Sequence, residues 1–225
     1  MSAVFITATG TDIGKTFVTA GLIRHLRASG REVDALKPVM TGFDPAHPEA
    51  SDAGILLAAL GRPATAAEIA RISPFRFAAP LSPDMAARRE RRNLDFSALT
   101  TFSADAAART KGTLLIEGIG GVMVPLNDRH TVLDWMVSLT CPVILVTGSY
   151  LGSLSHALTS IDALGPRSIS IRAVVVSETL AATVPLADTV ATLTRFAAPV
   201  PVVALPRLPS AESEHPAFAQ IAGML

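Results

Sequence analysis

Cysteine is almost missing from this 225-residue sequence, where Cys141 stands alone. One thiol excludes an internal disulfide and any cysteine-based zinc site, and it points to a reducing, cytoplasmic setting. Charge is scarce as well. Charged residues make up 17% of the chain against 49% apolar ones, which excludes a disordered or solvating polymer. Nineteen cationic side chains balance nineteen anionic ones, so neither a nucleic acid nor an anionic membrane surface is the expected partner. Long apolar runs are absent too: stretches such as 142–146 fall far short of the roughly 20 residues that a membrane span needs. Nothing before the strand-like run at 3–7 reads as a charged-then-apolar leader, so export is not expected. Lysine is the rarest charge, with three copies beside sixteen arginines.

What is present has a clear rhythm. Short apolar, β-rich runs recur at 4–7, 33–37, 113–117, 142–147, 171–177 and 201–205. They are nearly continuous rather than alternating, the pattern of strands buried on both faces of a parallel sheet. Helical stretches separate them at 15–28, 52–60, 95–109, 132–139, 154–164 and 186–196. Ser29-Gly30 suits a C-cap, and Thr65-Ala-Ala-Glu68 reads as a capping box opening a short helix. Strands alternating with helices predict a three-layer α/β domain. No repeat or low-complexity linker divides the chain, and the Pro-rich segment 73–83 reads as an ordered excursion. A single domain over 1–225 is expected.

The first strand runs into Thr7-Ala-Thr-Gly-Thr-Asp-Ile-Gly-Lys-Thr16. A strand, a tight loop ending Gly-Lys-Thr and then an amphipathic helix is the setting of a phosphate-binding P-loop. Loop and helix N-terminal N–H groups point at phosphate oxygens, and the helix dipole adds to the attraction. Gly14 lets the backbone come close, Lys15 is placed to bridge the β- and γ-phosphates, and the Thr16 hydroxyl is placed to ligate Mg²⁺. Thr9 stands where the strict motif has glycine, with Gly10 beside it, so the loop is a variant form. Lys15 and Lys37 both follow early strands, at the sheet edge where α/β proteins bind ligands. Lys37 ends the second run and leads into Pro38-Val-Met-Thr-Gly42. Glu117 ends the third and leads into Gly118-Ile-Gly-Gly121, a loop open enough to admit a ligand. A carboxylate at a core strand end is a Walker-B-like position for Mg²⁺ and needs a cation beside it. Asp52, opening a helix after a polar loop, suits an N-cap and a metal ligand equally.

These motifs stand in a specific order. Gly14-Lys15-Thr16, Lys37-Pro-Val-x-Thr-Gly42, Phe77-x-x-Pro-x-Ser-Pro83 and Glu117-Gly-x-Gly-Gly121 come first. Pro142-Val-Ile-Leu-Val146 and Leu151-Gly-x-Leu-x-His-Ala-Leu158 follow. Together, over residues 4–208, they closely resemble the dethiobiotin synthetase family. The resemblance implies a P-loop NTPase-type domain with a mainly parallel sheet. It also implies a Mg²⁺- and ATP-dependent ligase that closes the ureido ring of dethiobiotin from 7,8-diaminopelargonic acid and CO₂ in biotin biosynthesis. A homodimer with substrate bound across the interface is implied as well, and the mean hydropathy of +0.43 accords with hidden apolar surface.

Carried over by position, the resemblance gives each residue a role. Asp12, Ile13, Gly14, Lys15, Thr16 and Phe17 cradle the triphosphate, and Thr16, Asp52 and Glu117 surround the metal. Lys15, Lys37 and Thr11 serve the reacting groups, with Thr41 as a substrate hydroxyl donor. Gly118, Ile119 and Gly120 flank the nucleotide. Ser177-Glu178, where the family frequently has Asn-Asp, and Pro206-Arg-Leu208 meet the base, with a ribose contact at Glu212. Tyr150, Leu151, Gly152, Ser153, Leu154 and Ser155 hold the substrate's far carboxylate from the partner subunit.

The competing reading is a regulatory partitioning ATPase of the deviant Walker type. Such proteins carry an additional early P-loop lysine, which Thr9, Gly10 and Thr11 do not supply. Their membrane-binding versions end in a basic amphipathic helix, whereas residues 216–225 hold no Lys or Arg. A cobyrinate-type ligase would need a glutaminase domain for which there is no room. His25, His47, His130 and His215 show no ligand spacing, and His156 sits on a helix beside the substrate segment. The cluster Arg88-Arg-Glu-Arg-Arg92 reads as a solvated face, Asp134-Trp135 as core, and Cys141 as an inert buried thiol.

Overall fold

A computed structural model describes residues 2–180, 183–209 and 214–225. In chain order it forms β1 (Ser2–Ala8), α1 (Lys15–Ala28), β2 (Val33–Leu36) and β3 (Val39–Met40). Then come α2 (Asp52–Ala59), α3 (Ala66–Ile72), β4 (Phe75–Arg76), α4 (Pro83–Arg89), α5 (Phe96–Arg109) and β5 (Thr113–Glu117). The chain continues with α6 (Val132–Leu139), β6 (Val143–Gly148), α7 (Ser153–Leu164), β7 (Ile171–Ser177), α8 (Leu186–Phe196), β8 (Val202–Leu205) and α9 (Pro216–Ala222).

Six strands make one wholly parallel sheet in the order β2-β5-β1-β6-β7-β8. Alternate residues feed two buried layers, which is why the strands read as unbroken apolar runs. Val4, Ile6 and Ala8 of β1 face Val18, Leu22 and Ile23 of α1 and Phe218 of α9. Phe5 points the other way, into the layer formed with α5, α6, α7 and α8. There it meets Trp135 edge-on at 4.8 Å, and Trp135 donates its Nε1–H to Ser103 Oγ at 3.3 Å. The chain order reverses at β1, which lies between β5 and β6. The β1–α1 loop therefore opens at the topological switch point, the crevice where such sheets bind ligands.

Local rules explain most ends, with some corrections. Thr65 caps α3 by accepting from Glu68 N–H at 3.2 Å, but the reciprocal half of the expected box is absent. Glu68 instead meets Arg62 at 2.6 Å and Arg71 at 3.2 Å. A reciprocal capping box does form between Thr131 and Asp134 at the start of α6. The second strand stops at Leu36, one residue before Lys37. Around the Pro-rich excursion lie two elements that the pattern did not show: α4, which starts at its last residue, and a two-stranded parallel ladder that joins its β4 to β3. Further bonds from Phe43 N–H to Phe77 O and from Gly42 N–H to Ala79 O continue that association beyond the strands. The arginine cluster at 88–92 spans the end of α4, where Arg88 pairs with Asp84 and Arg92 with Glu90.

On the outer strand β2, Ala35 N–H donates to Asp34 Oδ1 at 2.8 Å rather than to another strand. Arg71 grips the same carboxylate from α3, its Nη1 3.1 Å from Asp34 Oδ2. Cys141 is half-buried rather than fully buried, and burial pushes its thiol up to about 11, which favours the protonated form. Among the described residues no helix is long and apolar enough to cross a membrane.

Candidate active site

The loop after β1 is built around two left-handed residues, Asp12 (φ 57°) and Gly14 (φ 99°). A short polar side chain tolerates that conformation at Asp12. Position 14 must be glycine for a second reason: a Cβ there would lie 2.8 Å from Ser177 Oγ. Gly14 caps α1 without any side-chain acceptor, so no side chain competes for the first-turn N–H groups. With the helix dipole behind them, they form an anion site. Lys15 turns back beneath the loop and donates to Gly10 O at 3.1 Å and Gly120 O at 2.9 Å. Burial pushes its ammonium down to about 8, and the neighbouring Lys37 charge works in the same direction.

Sheet register assembles the rest. Leu36 pairs with Ile116, so Lys37 and Glu117 leave adjacent strands side by side. Lys37 is 2% exposed, and its Nζ reaches Glu117 Oε1 at 2.7 Å, Asp52 Oδ2 at 2.8 Å and Gly118 O at 2.9 Å. Burial alone would lower the Lys37 pKa, but the Glu117 and Asp52 carboxylates outweigh it and hold the ammonium above its usual range. Burial likewise opposes ionisation of Asp52, and contact with Lys37 and Thr16 reverses it, keeping that carboxyl below the usual range. The Thr16 hydroxyl lies 2.7 Å from Glu117 Oε1 and 3.0 Å from Asp52 Oδ1. The capping role open to Asp52 falls instead to Ser51, whose hydroxyl accepts from Gly54 N–H at 3.1 Å. Asp52 is thereby free to face Thr16 and Lys37.

The donor set fits a magnesium ion. Glu117 Oε2 is buried with no hydrogen-bond partner, an unmet acceptor beside the Thr16 and Asp52 oxygens. No three His, Cys, Asp or Glu side chains gather into a metal cluster among the described residues. Two carboxylates and a hydroxyl suit Mg²⁺ that takes its other ligands from phosphates and water.

Two of the cavities that adjoin the loop share Asp12, Gly14 and Phe17. One, of about 500 Å³, is lined by Thr11, Lys15, Thr16, Thr41, Asp52, Ile119 and Gly120. The other, of about 430 Å³, is lined by Ile13, Ser177, Glu178, Pro206, Arg207 and Leu208. Glu178 braces its far wall by accepting from Arg207 N–H at 2.8 Å. Most of the expected residues therefore converge. Lys37, Glu117 and Gly118 line neither of these two cavities: the first two are buried, and Gly118 supports the site from behind, where a Cβ would strike the Phe5 ring at 2.7 Å. Glu212 lies outside the described residues. Met40, Gly42, Phe43, Ser51, Thr179 and Leu180 also line the cavities. Of these, sequence singled out only Gly42, within its motif, because the others are placed by the β3–β4 ladder and by loops.

Tyr150, Leu151, Gly152, Ser153, Leu154 and Ser155 form the turn into α7 and line neither cavity. Gly152 (φ 102°) caps α7 without a side-chain acceptor, and the Ser153 hydroxyl is buried with no partner. Tyr150 Oη lies 2.8 Å from His156 Nδ1, and Leu151 is 84% exposed.

A parallel α/β sheet with a Gly-Lys-Thr loop at its switch point, and a carboxylate–lysine cluster beside it, defines a P-loop ATP-binding protein. The AAA-domain family profile matches residues 2–215. The ATP-dependent dethiobiotin synthetase BioD of Phenylobacterium zucineum is 50% identical over 209 residues, 92% of this chain and 89% of that one. The enzyme of that name from Methylobacterium nodulans is 52% identical over 190 residues, covering 82% and 84%. The chain belongs to the ATP-dependent dethiobiotin synthetase family and is an ATP-dependent ligase. The solved structure of the cell division ATPase MinD from Pyrococcus furiosus aligns with a TM-score of 0.62 over 100% of this chain and 98% of that one. At 17% identity, that likeness shows the shared fold alone.

Proposed function

We propose that this protein closes the ureido ring of dethiobiotin from 7,8-diaminopelargonic acid, CO₂ and ATP. It does so in the cytoplasm, as a two-fold dimer of one-domain chains. The observation that carries this reading is the buried Lys37 ammonium, held within 2.8 Å of Glu117 and of Asp52, which lines one cavity together with Lys15, Thr11 and Thr41. In the chemistry proposed, one substrate amine adds to CO₂ and loses a proton to give a carbamate. A carbamate oxygen attacks the γ-phosphorus and releases ADP, leaving a carbamic–phosphoric anhydride. The second amine then attacks the carbonyl carbon and expels phosphate.

Each intermediate is anionic, and the residues answer that charge. The loop N–H groups and Lys15 hold the phosphates, while Lys37 stabilises carbamate and phosphoryl oxygens. Thr11 and Thr41 offer hydroxyl donors that fix the diamine near attack geometry. Thr16, Asp52 and Glu117 would hold Mg²⁺, which neutralises developing phosphoryl charge when bound. None of these roles needs a covalent nucleophile, in keeping with a Cys141 thiol that favours its protonated form. The uncapped α7 N-terminus at Gly152 and Ser153 suits a carboxylate. Since that segment lines neither cavity of its own chain, the reading has it serve the partner's substrate. Protein incubated with 7,8-diaminopelargonic acid, bicarbonate and Mg-ATP should yield dethiobiotin, ADP and phosphate in equal amounts, and it should sediment as a dimer. ATP hydrolysis without dethiobiotin would overturn the assignment, and a fully active monomer would overturn the shared site.

A further inference from the structure

Strands β6 and β7 run side by side until Gly148 pairs with Ser177, and there their chains part. The β7 chain becomes a wall of the 430 Å³ cavity through Ser177, Glu178, Thr179 and Leu180. The β6 chain turns through Ser149 and Tyr150 into α7. Just past the last ladder pair, a reciprocal bond ties the two. Ser149 N–H donates to Thr179 Oγ1 at 3.1 Å, and Thr179 N–H donates to Ser149 Oγ at 3.1 Å. Each hydroxyl thus satisfies the backbone donor of the opposite loop. Ser149 is fully buried, so water does not compete for its half of the exchange.

The surroundings fix this clamp closely. A Cβ on Gly148 would lie 2.5 Å from Thr179 Oγ1 and 2.7 Å from the Tyr150 ring, so both side chains press on the same bare backbone. Tyr150 in turn meets His156 of α7 through its hydroxyl at 2.8 Å. A shift of the 177–180 wall would therefore move Thr179, then Ser149, then the turn that carries Tyr150 into α7.

We propose that Ser149 and Thr179 are positioning residues that couple the nucleotide cavity to the substrate segment at 150–155. This rests on the functional reading above, which gives those two places their ligands. A base seated against Ser177 and Glu178 steadies the wall, the clamp passes that order to Tyr150, and the α7 N-terminus is aimed for the substrate carboxylate. In the dimer, ATP in one protomer thereby readies the carboxylate site that the same protomer offers its partner. Such a link is reciprocal: substrate tightens nucleotide by the factor by which nucleotide tightens substrate.

Calorimetric binding of 7,8-diaminopelargonic acid, with and without a non-hydrolysable ATP analogue and Mg²⁺, measures that factor without turnover. Wild type should bind the diamine about fivefold or more tightly with the analogue present, the lower range of measured couplings. Thr179→Val keeps the side-chain shape but removes the hydroxyl, and should bring the factor close to one. Thr179→Ser should restore it, because the hydroxyl returns, and Ser149→Ala should reproduce the loss from the other side. Should Thr179→Val fail to fold, the contrast between Ser149→Ala and wild type decides. A factor unchanged in Thr179→Val or Ser149→Ala, or absent in wild type, overturns the inference. Failure of the functional reading shows separately, as wild-type protein that makes no dethiobiotin.

Discussion

Replacing Lys37 with methionine keeps the length and apolar stem of the side chain and removes its charge. Three bonds vanish with it, to Glu117, Asp52 and Gly118 O, all between 2.7 and 2.9 Å. The two carboxylates respond differently. The Asp52 side chain is 44% exposed and regains water, whereas that of Glu117 is wholly enclosed and does not. Breaking a buried pair by removing one partner costs ~3–5 kcal/mol, and the exposure of Asp52 favours the lower end of that range. At ~2–4 °C per kcal/mol for a chain of this size, ~3 kcal/mol lowers the melting temperature by about 6–12 °C. Turnover should fall ~10²–10³-fold, as when other donors to a developing negative charge are lost. Combining Lys37→Met with Glu117→Gln removes the stranded charge, so most of the stability should return and none of the activity. Scanning calorimetry and dethiobiotin formation read the two effects separately. The pH dependence has a definite sign. Because the folded Lys37 pKa is raised, its stabilisation is complete below the ordinary lysine pKa and disappears as pH climbs through the folded value. A Lys37→Met protein melting within about 2 °C of wild type, a loss of under ~1 kcal/mol, would refute the buried-charge argument.

Two further outcomes follow from the same site. Lys15 keeps its proton below about 8 and loses it above, so nucleotide affinity should weaken as pH rises from 7 to 9. Lys15→Arg, which stays charged, should flatten that slope in calorimetric Kd measurements; a wild-type Kd indifferent to pH would contradict the placement. The Ser177 hydroxyl lies against Gly14 and lines the 430 Å³ cavity, offering a base one rotatable group where an amide offers a donor and an acceptor together. Ser177→Asn should therefore raise the kcat/KM ratio of ATP over GTP roughly tenfold, the lower range for paired bonds to a base edge, and an unchanged ratio means that other groups read the base.

The six main strands were legible because most of their residues are apolar and the central ones are buried on both faces, as at Val174, Val175 and Val176. The β3–β4 ladder was not: two-residue strands carry no period, and the residues they pair lie 36 apart in sequence. Helices α4 and α9, seven residues each and opened by proline, are too short to show a stripe. In the site, Lys15, Thr16, Lys37 and Glu117 could be found because strand ends in a parallel sheet come to one edge. The choice between the two roles open to Asp52 needed the fold, since only there does the Ser51 hydroxyl take the cap. That Tyr150 and its neighbours turn away from their own chain's cavities is equally a matter of tertiary direction, on which sequence spacing is silent.

The arrangement at Asp34 bears on how this protein behaves in crowded solution. A sheet edge is a template, and an incoming strand needs its outward N–H groups to be free. On β2 the Ala35 N–H is already held by the neighbouring carboxylate, which Arg71 keeps in place. A second molecule approaching that side meets an occupied donor and a guanidinium. Together Asp34 and Arg71, far from any catalytic duty, work against misassembly into stacked ribbons there. Damage at Asp34 would accordingly show itself as turbidity on storage, in protein whose chemistry per folded molecule is intact.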